Sequence, residues 1–314
     1  MAKKPAPRDR KARVGNQPGS ALSAAEKTKK PAYKKPASTA FQRLTELVKW
    51  VDLVIEVLDG RLPVSTKHPK SEEIFGSRPR LIIYSKSDLA DATRLKRYVK
   101  RLNEEYASPE WRGAPVKAVV LCLKGRENKT TFVEAALSLT KPKRDTLERR
   151  GLLPRPMRAC VVGIPNVGKS SLINWFIGKK HAKVGDSPGV TKGTQWIRVH
   201  PDLEMLDTPG ILPPNLFGEE TMAKLSVLNL VPGDTYDPLT AAQVGIKLLK
   251  RHYVARLEEY VSGLPESENA LEHIAKRKGF LAKGAKPDER RAANTFLHDI
   301  RDGKLGDLTL DDIG

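Results

Sequence analysis

Apolar positions recur with two periods along this chain. Phe41, Leu44, Leu47 and Val48 stand at helical spacing and predict a short amphipathic helix; the same spacing predicts a longer one from Ala90 to about Tyr106. Between them, residues 51–58 read as a strand that ends in the polar turn Asp59-Gly-Arg-Leu-Pro-Val-Ser65, and Arg80-Leu-Ile-Ile-Tyr84 reads as a buried strand. Further strands are predicted at residues 116–123, 159–162, 196–200 and 203–206, the last two as a hairpin, with helices at about 130–140 and 170–177. The charged, proline-broken stretch 141–156 reads as a connection back into the sheet. From Thr221 the pattern is helical, with segments at 241–260, 270–278 and 288–302. Strands alternating with helices predict an α/β fold, here followed by an all-helical part.

Chemistry concentrates at the ends of these strands. Gly163-Ile-Pro-Asn-Val-Gly-Lys169-Ser170 completes the pattern G-x-x-x-x-G-K-S between a predicted strand and a predicted helix. Successive backbone N–H groups of such a loop curl around a phosphate, and the helix N-terminus adds its positive dipole end. In that reading Lys169 reaches the β and γ phosphates and Ser170 ligates Mg²⁺. Residues 187–194 form a Gly/Pro/Thr loop in which Thr191 is the natural ligand for Mg²⁺ or the γ-phosphate. The strand at 203–206 runs into Asp207-Thr-Pro-Gly210, where a carboxylate can hold the metal shell and the Gly210 amide can sense the γ-phosphate. Ser85-Lys86-Ser87-Asp88 follows a buried strand; a carboxylate there could accept the paired N1–H and 2-amino donors of guanine, a pair that adenine lacks. Asp59–Ser65 also ends a strand, where α/β sheets place ligands, and reads equally well as a plain turn.

The net charge of +19 over 314 residues points to a polyanion, a nucleic acid above all. Residues 1–40 hold eleven Lys/Arg against Asp9 and Glu26, with few large apolar residues, and read as a disordered basic arm. Cys122 and Cys160 sit in apolar runs and not at ligand spacing, which suits a reducing, cytoplasmic setting and disfavours disulfides or structural zinc. No apolar stretch reaches bilayer-spanning length, and no export signal or membrane partner is expected.

Along the chain the motifs run Ser85-Lys-Ser-Asp88, Leu123-Lys124, Gly163–Ser170, Thr191, then Asp207–Gly210. Ordinary small GTPases carry the phosphate loop first. This order resembles the circularly permuted GTPases, and Phe296-Leu-His-Asp-Ile-Arg-Asp-Gly-Lys-Leu-Gly306 resembles the helical tail of their ribosome biogenesis GTPase A branch. The resemblance covers residues 41–314. It implies a circularly permuted P-loop GTPase domain at 41–216 and a helical RNA-binding domain at 217–314. It implies GTP/GDP and Mg²⁺ as ligands, slow hydrolysis, and a role in late maturation of the large ribosomal subunit. The partners would be the subunit precursor, its rRNA and its ribosomal proteins, met by a monomer. Nucleotide contacts are implied for Ser85, Lys86, Asp88, Leu123, Lys124, Asn166, Val167, Gly168, Lys169, Ser170, Ser171 and Gly210, with Lys169, Thr191 and Gly210 serving catalysis. Mg²⁺ would be held by Ser170, Thr191 and Asp207, and a potassium ion by Asn166.

Two departures from the branch stand out. Ser85 replaces the asparagine that opens the guanine motif, and no Pro-Gly-His segment precedes the first helix, where the chain has Pro36-Ala-Ser-Thr-Ala-Phe41. Ile211 stands where ordinary small GTPases place a water-orienting glutamine. The motifs alone also admit an ATP-using P-loop enzyme, and an RNA-binding assembly factor whose nucleotide is only structural.

Overall fold

The structure, a computed structural model, describes residues 40–125, 128–153, 155–177, 196–206, 217–232, 235–262 and 269–314. The basic segment 1–40 lies, apart from its last residue, outside the described residues, as do Thr191, Asp207, Gly210 and Ile211.

Helix α1 (Ala40–Val48) leads into strand β1 (Leu53–Asp59), and a one-turn helix α2 (Ser71–Phe75) precedes β2 (Arg80–Ser85). Next come α3 (Ala92–Ala107), β3 (Val116–Val120), α4 (Lys129–Arg149), β4 (Met157–Val162) and α5 (Lys169–Ile177). The hairpin β5 (Trp196–His200) and β6 (Leu203–Leu206) completes a six-stranded sheet of order β3-β2-β1-β4-β6-β5, parallel except for the edge strand β5. From β1 the chain steps outward through β2 and β3, then returns to place β4 on the other side of β1. That reversal opens a crevice between the carboxyl ends of β1 and β4, the place where open α/β sheets bind ligands.

Helices cover both faces of the sheet. On β2 the side chains alternate: Leu81 and Ile83 join the larger core, while Ile82 and Tyr84 pack under α3 with Leu95 and Val99. Helix α3 begins at Ala92, two residues past the predicted start at Ala90, because the Asp91 carboxylate caps the N–H groups of Thr93 and Arg94. Helix α4 runs farther than the sequence suggests, continuing through Pro142 to Arg149. The Thr146 hydroxyl donates to the Pro142 carbonyl, and the Lys141–Asp145 pair braces the same turn, so a proline on the exposed side costs one backbone bond without ending the helix.

Helices α6 (Glu219–Val227), α7 (Pro238–His252), α8 (Val254–Tyr260), α9 (Ala270–Arg277) and α10 (Glu289–Arg301) follow. The expected single helix over 241–260 is two, broken at Tyr253, whose backbone leaves the helical region. Its hydroxyl is instead bonded to Asp91, Arg94 and the Thr309 N–H. Apolar side chains from α6 to α10, such as Leu249, Phe296 and Leu297, belong to the same continuous core as the sheet.

Strand β1 is buried along its whole length. Its alternation therefore hides polar residues that need partners indoors. Glu56 meets Arg80 at 3.6 Å and accepts the Ser71 hydroxyl at 2.9 Å, and Arg80 also reaches Glu72 at 2.6 Å. Asp52, just before the strand, takes two bonds from Arg155 at 2.7 and 3.1 Å, the Arg158 N–H at 2.8 Å and an ion pair with Lys143. Burial pushes the Asp52 carboxyl up, but those bonds outweigh it and bring it to about 2.

Candidate nucleotide site

The phosphate loop leaves β4 at Gly163, which takes φ +151°. A Cβ at that position would stand 2.5 Å from the Val57 carbonyl oxygen, so only glycine lets the loop pass so close to β1. Asn166 and Gly168 also take positive φ, 61° and 104°, and bend the loop toward the first turn of α5. Val167 is fully buried and anchors the loop, whereas Asn166, Ser170 and Ser171 are exposed at the mouth. The Lys169 ammonium donates to the Ile164 carbonyl at 2.6 Å, across the loop. A glycine-walled turn, a helix N-terminus and a lysine arched over the loop together fit a bound phosphate chain. Ser170, exposed at the helix start, fits the metal expected beside it.

The second wall comes from the loop after β2. Ser85 is fully buried; its hydroxyl lies 2.5 Å from the Val167 carbonyl and 3.0 Å from that of Leu58. It thus reaches the phosphate loop despite being shorter than asparagine. Lys86 adopts φ 52°, a left-handed conformation unusual for a lysine, and donates to the Asn166 carbonyl at 2.7 Å. Leu123 approaches from the loop after β3: a Cβ on Gly168 would meet Ser85 Oγ at 3.4 Å and Leu123 Cδ1 at 3.8 Å. From that same loop Lys124 reaches Asp88 at 2.6 Å, and this bond raises the Lys124 pKa. The geometry therefore brings together Ser85, Lys86, Asp88, Leu123, Lys124 and residues 166–171. The Thr191, Asp207 and Gly210 assignments lie outside the described residues.

Sequence reasoning leaves Asp59 and Arg61 undecided, and passes over Asn229. Asp59 is fully buried, with its oxygens held by Arg61 at 2.9 and 3.0 Å, and it pairs with Lys86 at 2.9 Å. Burial pushes the Asp59 carboxyl up, but Arg61 and then Lys86 outweigh it and hold it below the usual carboxylate range. A carboxylate closing an apolar strand with an arginine two residues later is the available signal. Asn229 follows α6 and carries φ 55°; its carbonyl accepts the Asn166 side-chain amide at 2.8 Å. That bond has no local sequence signature. Cys160 is buried beside the loop, and burial raises its thiol to about 12, which leaves it an inert core residue.

A phosphate loop after the fourth strand, bonded in one crevice to the loop after the second, defines a P-loop protein with permuted chain order. A family model described as 50S ribosome-binding GTPase matches residues 158–259. The chain is 34% identical to the ribosome biogenesis GTPase A of Bacillus cereus over 87% of this chain and 90% of that one. It is 32% identical to the mouse mitochondrial ribosome-associated GTPase 1 over 86% of each chain. The fold is shared with a solved structure described as GNP-bound YlqF from T. maritima, with TM-score 0.58 and 24% identity over 86% of this chain and 97% of that one. This chain belongs to the ribosome biogenesis GTPase A family.

Proposed function

We propose that this protein is a GTP-driven factor of ribosome assembly, which binds GTP in the β1–β4 crevice and hydrolyses it to GDP and phosphate. The observation that carries this reading is the joining of the two recognition loops: Ser85 and Lys86 bond directly to the carbonyls of Val167 and Asn166. A loop placed to read guanine and a loop placed to hold phosphates then respond to one ligand as a unit. Asp88 selects guanine, Lys169 neutralises the phosphates, and Ser170, Thr191 and Asp207 would hold Mg²⁺. Mg²⁺ supplies charge neutralisation to the transferring phosphoryl group.

Hydrolysis needs an oriented water, and Ile211 brings no polar group to do it. A potassium ion near the phosphates, with the Asn166 side-chain oxygen as one ligand, would add positive charge there. The orientation of that amide supports the idea, since its nitrogen is the end committed to Asn229. Stimulation by the ribosomal particle would complete the catalytic site.

The helical part would contact rRNA of a late large-subunit precursor. Many of its cations are already paired: Lys278 and Lys304 with Asp299, Arg290 with Asp237, and Lys276 with Glu272. Those at the surface are weakly held and can exchange a carboxylate for an RNA phosphate.

The test is GTP turnover with and without purified large-subunit particles. Turnover that rises with particles, with GTP displacing labelled GDP where ATP fails, supports the proposal. Asp88→Asn should erase about a hundredfold of guanine preference, the loss of two hydrogen bonds to a charged acceptor. ATP competing equally with GTP would overturn the guanine assignment. Turnover unchanged by particles would leave the nucleotide a structural role.

A further inference from the structure

Residues 308–313 have no helical or strand pattern, yet Leu308, Thr309, Leu310, Asp311 and Ile313 are buried. They lie between the Asp59–Ser65 turn and helix α3. The Leu310 N–H donates to the Arg61 carbonyl at 2.7 Å, and the Leu308 N–H donates to that of Leu89, one residue past Asp88, at 2.9 Å. Asp311 accepts the Val64 N–H at 2.9 Å, the Ser65 N–H at 2.8 Å and the Ser65 hydroxyl at 2.5 Å. Arg94 of α3 holds the Thr309 and Asp311 carbonyls at 2.8 and 3.2 Å, and Arg101 holds that of Ile313 at 2.5 Å. The tail thus grips both the turn after β1 and the loop after β2.

Between tail and phosphate loop runs a continuous polar chain. Arg61 is held through its own carbonyl by Leu310, and its guanidinium donates to the Arg301 carbonyl at 3.2 Å. The same guanidinium clamps Asp59, Asp59 pairs with Lys86, and Lys86 bonds the Asn166 carbonyl. Lys86 holds a strained left-handed backbone, so its placement depends on what surrounds it. We infer that Arg61 and the 308–313 tail are positioning elements of the nucleotide site, fixing Lys86 and through it the phosphate loop, so that the C-terminal segment sets how tightly guanine nucleotide is held. The inference rests on the reading of the crevice as the guanine-nucleotide site.

A tail that merely stabilises the fold would not act through Lys86, and a double-mutant cycle separates the two cases. The measurement is the release rate of a fluorescent methylanthraniloyl GDP from the full chain. The variants are Lys86→Met, Arg61→Lys and Asp311→Ala, singly and with each of the last two combined with Lys86→Met. Arg61→Lys keeps the charge and loses the two-pronged clamp. Arg61→Lys and Asp311→Ala are each expected to speed release about fivefold to tenfold alone, and less than about twofold once Lys86 is methionine. Ser65→Ala removes one bond to Asp311 and serves where Asp311→Ala fails to fold; about twofold faster release is expected, again absent in the Lys86→Met background.

If Lys86→Met accelerates release while the Arg61 and tail variants match wild type, the positioning role is wrong and the site assignment stands. The positioning role is equally wrong if the effects multiply in full in the double variants. If neither Lys86→Met nor Asp88→Asn changes guanine-nucleotide release, the site reading itself has failed, and the inference falls with it.

Discussion

Two turns leave neighbouring parallel strands at the carboxyl end of the sheet, one after β4 and one after β1, and they are built on opposite plans. The phosphate loop is lined by backbone and glycine, carries its cation on Lys169, and exposes Asn166, Ser170 and Ser171. The Asp59–Ser65 turn carries its anion on Asp59, buries it, and finds the countercharges in Arg61 and Lys86. Position at the carboxyl end of a strand makes a turn available to a ligand. Whether it binds one depends on what already satisfies its charges. Here the satisfied turn supports the open one.

The comparison breaks most visibly at Asp59. Asp59→Ala leaves two cations facing a buried gap and is expected to destabilise the fold by about 3–5 kcal/mol, read as a lower urea midpoint without nucleotide present. Lys169→Ala at the open loop should do the reverse, leaving the urea midpoint near wild type while GTP turnover falls about a hundredfold or more by phosphate release. If both variants lost stability alike, the contrast between a filled turn and an open one would be wrong.

A smaller effect is expected at Asp52, at the opposite end of the strands. Its carboxyl is lowered to about 2, so the ionised group contributes stability above its unfolded value and loses it as pH falls through 2. Asp52→Asn should therefore be less stable than wild type by about 2 kcal/mol at neutral pH, with the gap closing between about pH 4 and about pH 2 in urea titrations. The smallest change is Ser85→Ala, which removes the hydroxyl joining the two loops. Nucleotide affinity is expected to fall about threefold to tenfold by equilibrium titration, the worth of about one hydrogen bond.

The phosphate loop was legible because its chemistry is local: glycines, a lysine and a helix start must follow one another within eight positions. The order of the motifs likewise disclosed the permutation, and among the described residues those at Ser85, Leu123 and Gly163 stand at the ends of β2, β3 and β4. The illegible features are those decided by distant partners. Residues 51–58 read as an alternating strand, yet Glu56 is as buried as its neighbours because Arg80 and Ser71 come to it from elsewhere. Tyr253 sits in a helical pattern and breaks the helix to serve Asp91, Arg94 and Thr309. The 308–313 segment has no period, and its burial is fixed by Arg61, Ser65 and Arg94, more than two hundred positions upstream.

That separation has a consequence for synthesis. Asp311 and Ser65 meet across 246 positions of sequence, so a chain emerging from its N-terminus presents every element from β1 to α10 before this contact can form. Until then the turn that anchors Lys86 lacks its partner. A nascent chain would present a formed sheet with a loosely held nucleotide, and firm binding would mark the arrival of residues 308–313.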